Sequence, residues 1–182
     1  MELSYTLSTN DYLELQLYNL SHNNGYKKQR KWDRYRLPGL SLLFGAILLF
    51  DGMNDILAYV FIASSLLFFI FYQRWSAWMY KRMSKRKVIE SMKGESLCEI
   101  KLLLGNDVIE VDSKRGHNFF NVHDIKSIIE IERYFFLMMN QYVYIIIPKD
   151  QIVNKEQLAE VFEGYRNTKG IPLIAELEWE WK

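Results

Sequence analysis

The stretch that decides the architecture is ILAYVFIASSLLFFIFYQ at residues 56–73, which carries no charged side chain. At a rise of about 1.5 Å per residue, this segment would form a helix about 27 Å long, close to the roughly 30 Å of hydrocarbon in a bilayer. A helix that is apolar on every side needs apolar surroundings on every side. We therefore predict a transmembrane helix here, rather than the core helix of a soluble protein.

A second uncharged apolar segment, LPGLSLLFGAILLF, precedes it at residues 37–50. It reaches only about 21 Å as a helix, or about 27 Å if it continues through Asn54. In the acidic link between the two segments, Gly52 suits a helix C-cap, and Asn54 or Asp55 suits the next N-cap. The sequence thus predicts a transmembrane hairpin with helices at about 37–54 and 56–73 and a turn outside the hydrocarbon.

Small residues recur at one helical spacing in the first predicted span. Ser41 and Gly45 are four residues apart, which places them on the same face of a helix. Two interpretations stay open, because this face either allows close approach of the second helix or faces lipid.

Positive charge is concentrated in two short blocks that flank the hairpin. Residues 27–36 carry a net charge of +5 and residues 74–87 a net charge of +6, although the whole chain carries only +1. The positive-inside rule then places both ends of the hairpin, and both termini, in the cytoplasm. The basic residues predicted to contact anionic lipid are Lys27, Lys28, Arg30, Lys31, Arg34, Arg36, Arg74, Lys81, Arg82, Lys85, Arg86 and Lys87.

Aromatic residues cluster at the same end of the hairpin. Amphipathic rings favour the headgroup layer, so a one-sided aromatic belt is predicted. Its members are Trp32, Tyr35, Tyr72, Trp75, Trp78 and Tyr80. Because both basic blocks adjoin apolar runs, the lipid bilayer is the predicted partner and nucleic acid is not.

The remaining sequence divides into an N-terminal segment, 1–26, and a C-terminal domain, 93–182, on either side of the hairpin region 27–92. The N-terminal segment is predicted to form a strand at Ser4–Ser8. Two structures stay open for Asp11–Ser21, because Leu13, Leu15 and Leu17 alternate as in a strand, whereas Leu13, Leu17 and Leu20 repeat at helical spacing. We favour an amphipathic helix, with Ser8 and Asp11 arranged as a capping box. A break at 21–25 follows. Beyond the second span, residues 74–92 should continue as a juxtamembrane helix that ends at Gly94.

From Glu95 onward the apolar period changes to two, which indicates an antiparallel β-meander of about six strands joined by tight turns. Cys98, the only cysteine, excludes an intramolecular disulfide and is expected to be buried. Pro148 should stop the sheet, and Asn154 should cap a helix at about 154–166 with Leu158, Val161 and Phe162 on its apolar face. The predicted strands are Cys98–Leu104, Val108–Asp112, a strand containing Phe119 and Phe120, Lys126–Glu132, Tyr134–Met139 and Tyr142–Ile147.

The C-terminal tail, residues 172–182, alternates apolar and charged side chains over its whole length. This pattern is typical of a half-buried strand. Its partner is either the domain's own sheet edge, which we favour, or another chain by strand addition.

Four short motifs stand at Tyr5–Leu13, 124–128, 132–137 and 145–149. Through them the chain resembles the YcxB-like family of bacterial membrane proteins, and Tyr5–Leu13 resembles that family's first strand and helix start. Val122 stands where the family usually has Trp. The resemblance covers about residues 3–166 and implies a pleckstrin-homology-like fold for the C-terminal part, with no enzymatic activity.

We therefore expect an α+β membrane protein, with a two-helix transmembrane hairpin and an antiparallel β-meander domain closed by a C-terminal helix, in the bacterial inner membrane. No catalytic, metal or cofactor motif is found. His123–Asp124 is interpreted as a turn-capping Asp beside an exposed His, and Lys149 as an exposed residue after a strand.

The expected function is non-enzymatic binding of a protein, peptide or lipid headgroup. An immunity or resistance protein against a membrane-active toxin is the alternative, and an oligomeric channel or transporter subunit is disfavoured because the spans lack ionisable groups at mid-membrane. The sequence also leaves open whether the chain forms a homo-oligomer.

Overall fold

The computed structural model describes residues 1–52, 54–92, 97–114, 116–139 and 143–182. The chain divides into two compact units. The sheet unit contains Met1–Leu15 and Lys85–Glu180, and the helical unit contains Gln16–Ser84 and Trp181–Lys182. The predicted N-terminal segment 1–26 is therefore shared between the two. The predicted turn at 140–141 and the predicted helix end at Gly94 lie outside the described residues.

The fold is α+β, as the sequence predicts, with four α-helices and eight strands in the described part of the chain. The helices are α1 (Thr9–His22), α2 (Asn24–Asp51), α3 (Asp55–Ser91) and α4 (Lys155–Lys169). The strands are β1 (Glu2–Ser8), β2 (Leu97–Leu104), β3 (Val108–Ser113), β4 (Gly116–Asn121), β5 (Ile125–Glu130), β6 (Tyr134–Met139), β7 (Tyr144–Pro148) and β8 (Leu173–Ala175).

The strands form two sheets, so the predicted antiparallel meander is confirmed within each sheet, as β2-β3-β4 and as β5-β6-β7, but not across both. The first sheet has the order β1-β2-β3-β4 and the second has the order β7-β6-β5-β8. They separate at a 3₁₀ turn, Val122–Asp124, between β4 and β5. Val122 is fully buried there, so the turn is anchored by an apolar side chain although the family's usual Trp is absent.

The first sheet contains the N-terminal strand β1, although β2, its partner, lies about ninety residues later in the sequence. β1 pairs antiparallel with β2, with Leu3 opposite Leu102 and Leu7 opposite Cys98. In both strands every second side chain is buried, including that of Cys98, as predicted. One face of this sheet therefore belongs to the core.

The second sheet packs against α4. Phe135 and Phe162 meet edge to face at 5.2 Å between ring centroids. Leu158 and Phe162 are buried as predicted, whereas Val161 is half-buried. The Tyr165 hydroxyl donates to the main-chain oxygen of Gly105 at 2.6 Å. The helix begins at Lys155 without a side-chain capping bond from Asn154, and it runs past the predicted end to Gly170, whose φ of 68° is the left-handed conformation that glycine adopts readily.

The strand prediction for the tail was correct only at its beginning. β8 contains three residues and pairs in parallel with β5, so the tail uses the domain's own sheet edge. After Ala175 the chain turns, and the main-chain N–H of Trp179 donates to the oxygen of Glu176 at 3.0 Å. The charged alternation beyond Ala175 therefore does not correspond to a strand.

In the helical unit, the predicted bounds of the first helix were wrong at both ends. α2 begins at Asn24, where Asn23 accepts a hydrogen bond from the N–H of Tyr26 at 3.1 Å, and it ends at Asp51 before a left-handed Gly52. The caps predicted for the link are confirmed, because Gly52 ends α2 and the Asn54 side chain accepts from the N–H of Leu57 at 3.1 Å. The predicted continuation of α3 through the juxtamembrane residues is also confirmed.

Candidate functional site

Within the helical unit, α2 and α3 approach each other closely at small residues. A Cβ added at Gly45 would lie 2.9 Å from Cγ1 of Ile62 and 3.2 Å from the main-chain oxygen of Ala58. Gly45 and Ala58 are both buried. Of the two interpretations left open for the face of Ser41 and Gly45, close approach of the second helix is therefore the one observed.

Two serine hydroxyls cross this interface to main-chain oxygens. Ser41 Oγ donates to the oxygen of Phe61 at 3.0 Å, and Ser65 Oγ donates to the oxygen of Pro38 at 2.9 Å. Small residues with interhelical hydrogen bonds of this kind are the usual contacts between helices in a membrane.

The buried residues of the hairpin are mostly small, and the large apolar ones face outward. More than half of the exposed large apolar side chains among the described residues lie between 37 and 71, about a fifth of the chain. Phe50 is 92% exposed and Ile56 is 78% exposed. The buried positions described between 37 and 84 are Pro38, Gly45, Ala58, Ser65, Tyr72, Ser76 and Ser84.

Of the described helices, α3 is long and apolar enough to cross a membrane by length and composition. By the same test of length and composition α2 does not qualify, so the predicted two-helix transmembrane hairpin is not confirmed. The physical reason is that the uncharged part of α2, residues 37–50, is short and follows the basic block directly.

The basic residues predicted at this end of the hairpin differ in exposure. Ten of the twelve are exposed, whereas Arg30 and Arg34 are half-buried. Arg30 donates through Nε to Ser76 Oγ at 2.9 Å and through Nη2 to the main-chain oxygen of Gln73 at 3.0 Å. Arg30 is therefore anchored to α3, whereas the ten exposed basic residues are accessible at the surface.

Arg34 is held in a different way. Its guanidinium carbon lies 4.8 Å from the centroid of the Phe69 ring, a cation–π contact. Its Nε is buried and has no hydrogen-bond partner among the described residues. A surface cleft of about 350 Å³ opens beside it, lined by Lys27, Arg30, Lys31, Arg34, Tyr35, Tyr72 and Gln73.

The six aromatic residues predicted as a belt occupy different environments. Trp32, Tyr35, Trp75 and Trp78 are exposed, Tyr80 is half-buried, and Tyr72 is buried, with its ring 5.6 Å from that of Phe68. Trp78 also lies beside a cation, because Cζ of Arg82 is 5.3 Å from its ring centroid.

Trp181 contributes to this end of the helical unit, and the sequence did not indicate it. Its indole N–H donates to the main-chain oxygen of Ala77 at 3.0 Å, and Cζ of Arg30 lies 5.7 Å from its ring centroid. The alternating pattern assigned Trp181 to a strand, and it gave no sign that this residue contacts α2 and α3.

Polar groups in the sheet unit pair with one another. The prediction that Lys149 is exposed was wrong. Its Nζ lies 2.7 Å from Glu130 Oε1 and 4.7 Å from the centroid of the Phe135 ring. Tyr134 donates to Asp11 Oδ1 at 2.6 Å, and burial together with this carboxylate raises the pKa of Tyr134. Asp11 also accepts from the main-chain N–H and hydroxyl of Ser8, the predicted cap of α1.

Lys169 of α4 makes an ion pair with Asp107, before β3, and a hydrogen-bond contact with His123 in the turn between the sheets. Lys169 Nζ lies 2.8 Å from Asp107 Oδ1 and 3.3 Å from Nε2 of His123. The hydrogen bond from Lys169 holds the pKa of Asp107 below its usual value. Among the described residues, no group of three or more His, Cys, Asp or Glu side chains could hold a metal ion.

The YcxB-like protein family matches residues 104–163, about a third of the chain. The predicted resemblance is confirmed over this range, which contains strands β3 to β7 and the first part of α4. No curated protein and no solved structure is significantly similar to the chain.

Proposed function

We propose that this chain, whose residues 104–163 match the YcxB-like family, is a non-enzymatic protein of the bacterial inner membrane. In this proposal α2 and α3 cross the bilayer as a hairpin, and both termini lie in the cytoplasm. The sheet unit is a pleckstrin-homology-like domain that binds a protein, a peptide or a lipid headgroup.

The observation that carries the proposal is the inverted arrangement of the hairpin. Its buried residues are mostly Gly, Ala and Ser, and its Leu, Ile and Phe side chains are exposed. Soluble proteins rarely expose apolar patches larger than a few hundred Å². Lipid around both helices would provide the apolar surroundings that these side chains need.

α2 can take part in this hairpin although its apolar part is short. A span of about 21 Å is accommodated by local thinning of the bilayer and by long side chains that extend to the interface. Arg34 and Arg36 lie just before the apolar segment and Asp51 ends it, so charged groups mark both ends. Pro38 lies at the start of the apolar segment, and Ser65 of α3 donates to its main-chain oxygen at 2.9 Å.

The orientation follows from the charges. The basic residues lie at one end of the two helices, and the short link at the other end carries Asp51 and Asp55. Since positive residues are retained on the cytoplasmic side, the link faces outward.

The sheet unit supports a binding role. Along the chain this unit has four strands (β1–β4), three strands (β5–β7) and then the helix α4, with β1 supplied from before the hairpin, and this order favours the pleckstrin-homology-like comparison. The short β8 follows α4 and adds a fourth strand to the second sheet. The ion pair of Lys149 with Glu130 and the hydrogen bond of Tyr134 to Asp11 act as structural contacts. The proposal therefore assigns this unit to recognition rather than catalysis.

Cysteine labelling in intact cells tests the topology. In a Cys98→Ala background, we expect Asn54→Cys to react with a membrane-impermeant maleimide from outside. Lys28→Cys and Glu178→Cys should react only after permeabilisation, and the chain should resist extraction by alkaline carbonate. Labelling of Lys28→Cys and Glu178→Cys from opposite sides, or carbonate extraction of the chain, contradicts the proposal.

Affinity capture with the intact protein in detergent tests the binding role. The matched control is the full-length Phe136→Ala chain, because Phe136 is fully buried in the sheet unit and the hairpin sequence is unchanged. A partner of the sheet unit should be recovered with the wild-type chain and lost with this variant. Equal recovery with both chains, or no partner above background, counts against this role.

A further inference from the structure

The cationic cleft lies on the same helix face as the small residues that contact α3. Lys27, Arg30, Lys31 and Arg34 follow the spacing i, i+3, i+4, i+7, and the same face continues to Ser41 and Gly45. One face of α2 therefore changes from cationic to small and apolar along its length.

The cleft lies at the depth of the headgroup layer if the hairpin spans the bilayer. The apolar segment starts at Leu37, three residues after Arg34, which is about 4.5 Å along a helix axis. The headgroup layer on each side of a bilayer is roughly 5–8 Å thick. A ligand in the cleft would then be at the level of lipid phosphates.

The side chains that line the cleft have separate tasks. Arg30 is occupied by Ser76 and Gln73 and by the main-chain oxygen of Lys182, to which Nη1 donates at 2.6 Å. Lys27 and Lys31 are exposed, and Arg34 is fixed by Phe69 with a buried Nε that has no partner among the described residues. Arg30 thus positions the helices, and three other cations face the cleft.

We propose that this cleft binds the phosphodiester of one anionic membrane phospholipid through Lys27, Lys31 and Arg34. The inference rests on the proposed function, because it needs the hairpin in the membrane. A planar guanidinium suits two phosphate oxygens at once, and two lysines add compact positive charges. A zwitterionic headgroup would bring its own ammonium group towards these cations, so charge complementarity favours a headgroup without one.

The test compares two variants of the full-length chain that lose equal charge. The cleft variant is Lys27→Gln/Lys31→Gln/Arg34→Gln. The control variant is Lys28→Gln/Arg36→Gln/Lys81→Gln, which removes two lysines and one arginine that do not line the cleft. Each protein is reconstituted in vesicles of phosphatidylcholine with a minor fraction of phosphatidylglycerol, released in mild detergent and examined by native mass spectrometry.

We expect one phosphatidylglycerol to remain bound to the wild-type chain and to the control variant. The cleft variant should bind it at least about tenfold more weakly, given about 1 kcal/mol for each basic residue near a membrane surface. Equal loss in both variants, or equal retention in both, overturns the site. Displacement of the lipid by inorganic phosphate, without preference for phosphatidylglycerol over phosphatidylcholine, assigns the cleft to free phosphate instead and also overturns it.

Failure of this site is distinguishable from failure of the proposed function. The carbonate extraction and the cysteine labelling report insertion and topology in the same variants, independently of bound lipid. A correctly inserted chain that holds no phosphatidylglycerol rejects the cleft alone, whereas a chain that is not inserted rejects both.

Discussion

The two units of this protein bury opposite kinds of side chain. In the sheet unit the fully buried residues are large and apolar, among them Phe136, Ile147 and Leu158. In the hairpin the buried residues are mostly small, and Leu66 and Ile70 are exposed. Water drives large apolar groups inward, whereas lipid leaves close packing of small groups as the main force between helices. The direction of burial, rather than hydrophobicity alone, distinguishes the two regions.

The largest expected effect comes from one phenylalanine in each region. Phe136→Ala removes a fully buried ring and should destabilise the sheet unit by about 3–5 kcal/mol. Phe71→Ala shortens an exposed side chain of α3 and should leave the stability of the hairpin nearly unchanged in detergent. Hydrogen exchange of amides in β5 to β7 and in α3 measures both effects; comparable loss of protection in the two variants would break the comparison.

The second comparison introduces an acid at one exposed leucine in each unit. Leu66 in α3 and Leu97 in β2 are suited to it because both side chains are 58% exposed. Leu66→Asp should reduce membrane insertion, since an acid near the middle of a transmembrane helix costs about 2.5–3.5 kcal/mol on insertion scales. Leu97→Asp should be tolerated, because water already reaches that side chain. The carbonate-resistant fraction is the measurement.

The outcome of this second comparison decides which solvent surrounds α3. If Leu66→Asp inserts as well as Leu97→Asp, the exposed face of α3 is not in lipid. If Leu97→Asp alone reduced the carbonate-resistant fraction, the assignment of the two surfaces would have to be exchanged.

A third expected effect is at the contact between α2 and α3. Gly45→Leu places side-chain atoms where a Cβ would already lie 2.9 Å from Ile62, and overpacking of this kind costs about 1–3 kcal/mol. Gly39→Leu is the matched control, because nothing lies within 4 Å of a Cβ at that position of the same helix. The yield of a disulfide between Ser41→Cys and Ser64→Cys, whose hydroxyl oxygens are 3.4 Å apart, reports the contact. Equal yields in the two variants would argue against close helix packing.

Local patterns in the sequence predicted much of the fold. Alternation located β2 and β3, the 3.6-residue spacing located α4, and Gly52 and Asn54 marked the link between α2 and α3. These features depend on neighbouring residues, because one-sided burial and capping act over a single turn or strand. The resemblance to the YcxB-like family is confirmed over residues 104–163, but it did not determine the structure around Val122, where the family usually has Trp.

Pairing between distant residues was not predictable in the same way. Nothing near β1 specifies β2, about ninety residues later, as its partner, and nothing in the tail states that its strand ends at Ala175. The two sheets separate at the turn that contains the buried Val122, and an ordinary apolar side chain does not indicate such a division. Sheet partners are chosen by tertiary packing, so a single sequence leaves them open.

The candidate site shows the same limit. Composition identified all twelve basic residues, but not that Arg30 and Arg34 turn towards α3. Arg30 reaches Ser76, forty-six positions away in the sequence, and Arg34 reaches Phe69. Which cations of a basic block are structural and which are exposed becomes visible only when the neighbouring helix is in place.

The smallest expected effect lies in the sheet unit, at the hydrogen bond between Tyr165 and Gly105. Tyr165→Phe should lower stability at neutral pH by about 1 kcal/mol, because the oxygen of Gly105 loses its donor. Burial raises the pKa of Tyr165 to about 12, whereas an unfolded tyrosine titrates near 10. The stabilising effect of the neutral hydroxyl is therefore complete below about pH 10 and is lost as the pH rises towards 12. Hydrogen exchange of α4 in detergent should show the stability difference between the wild-type chain and Tyr165→Phe disappearing across that interval. A stability difference that stays constant from pH 8 to 12 would show that the Tyr165 hydroxyl is not buried in the folded unit.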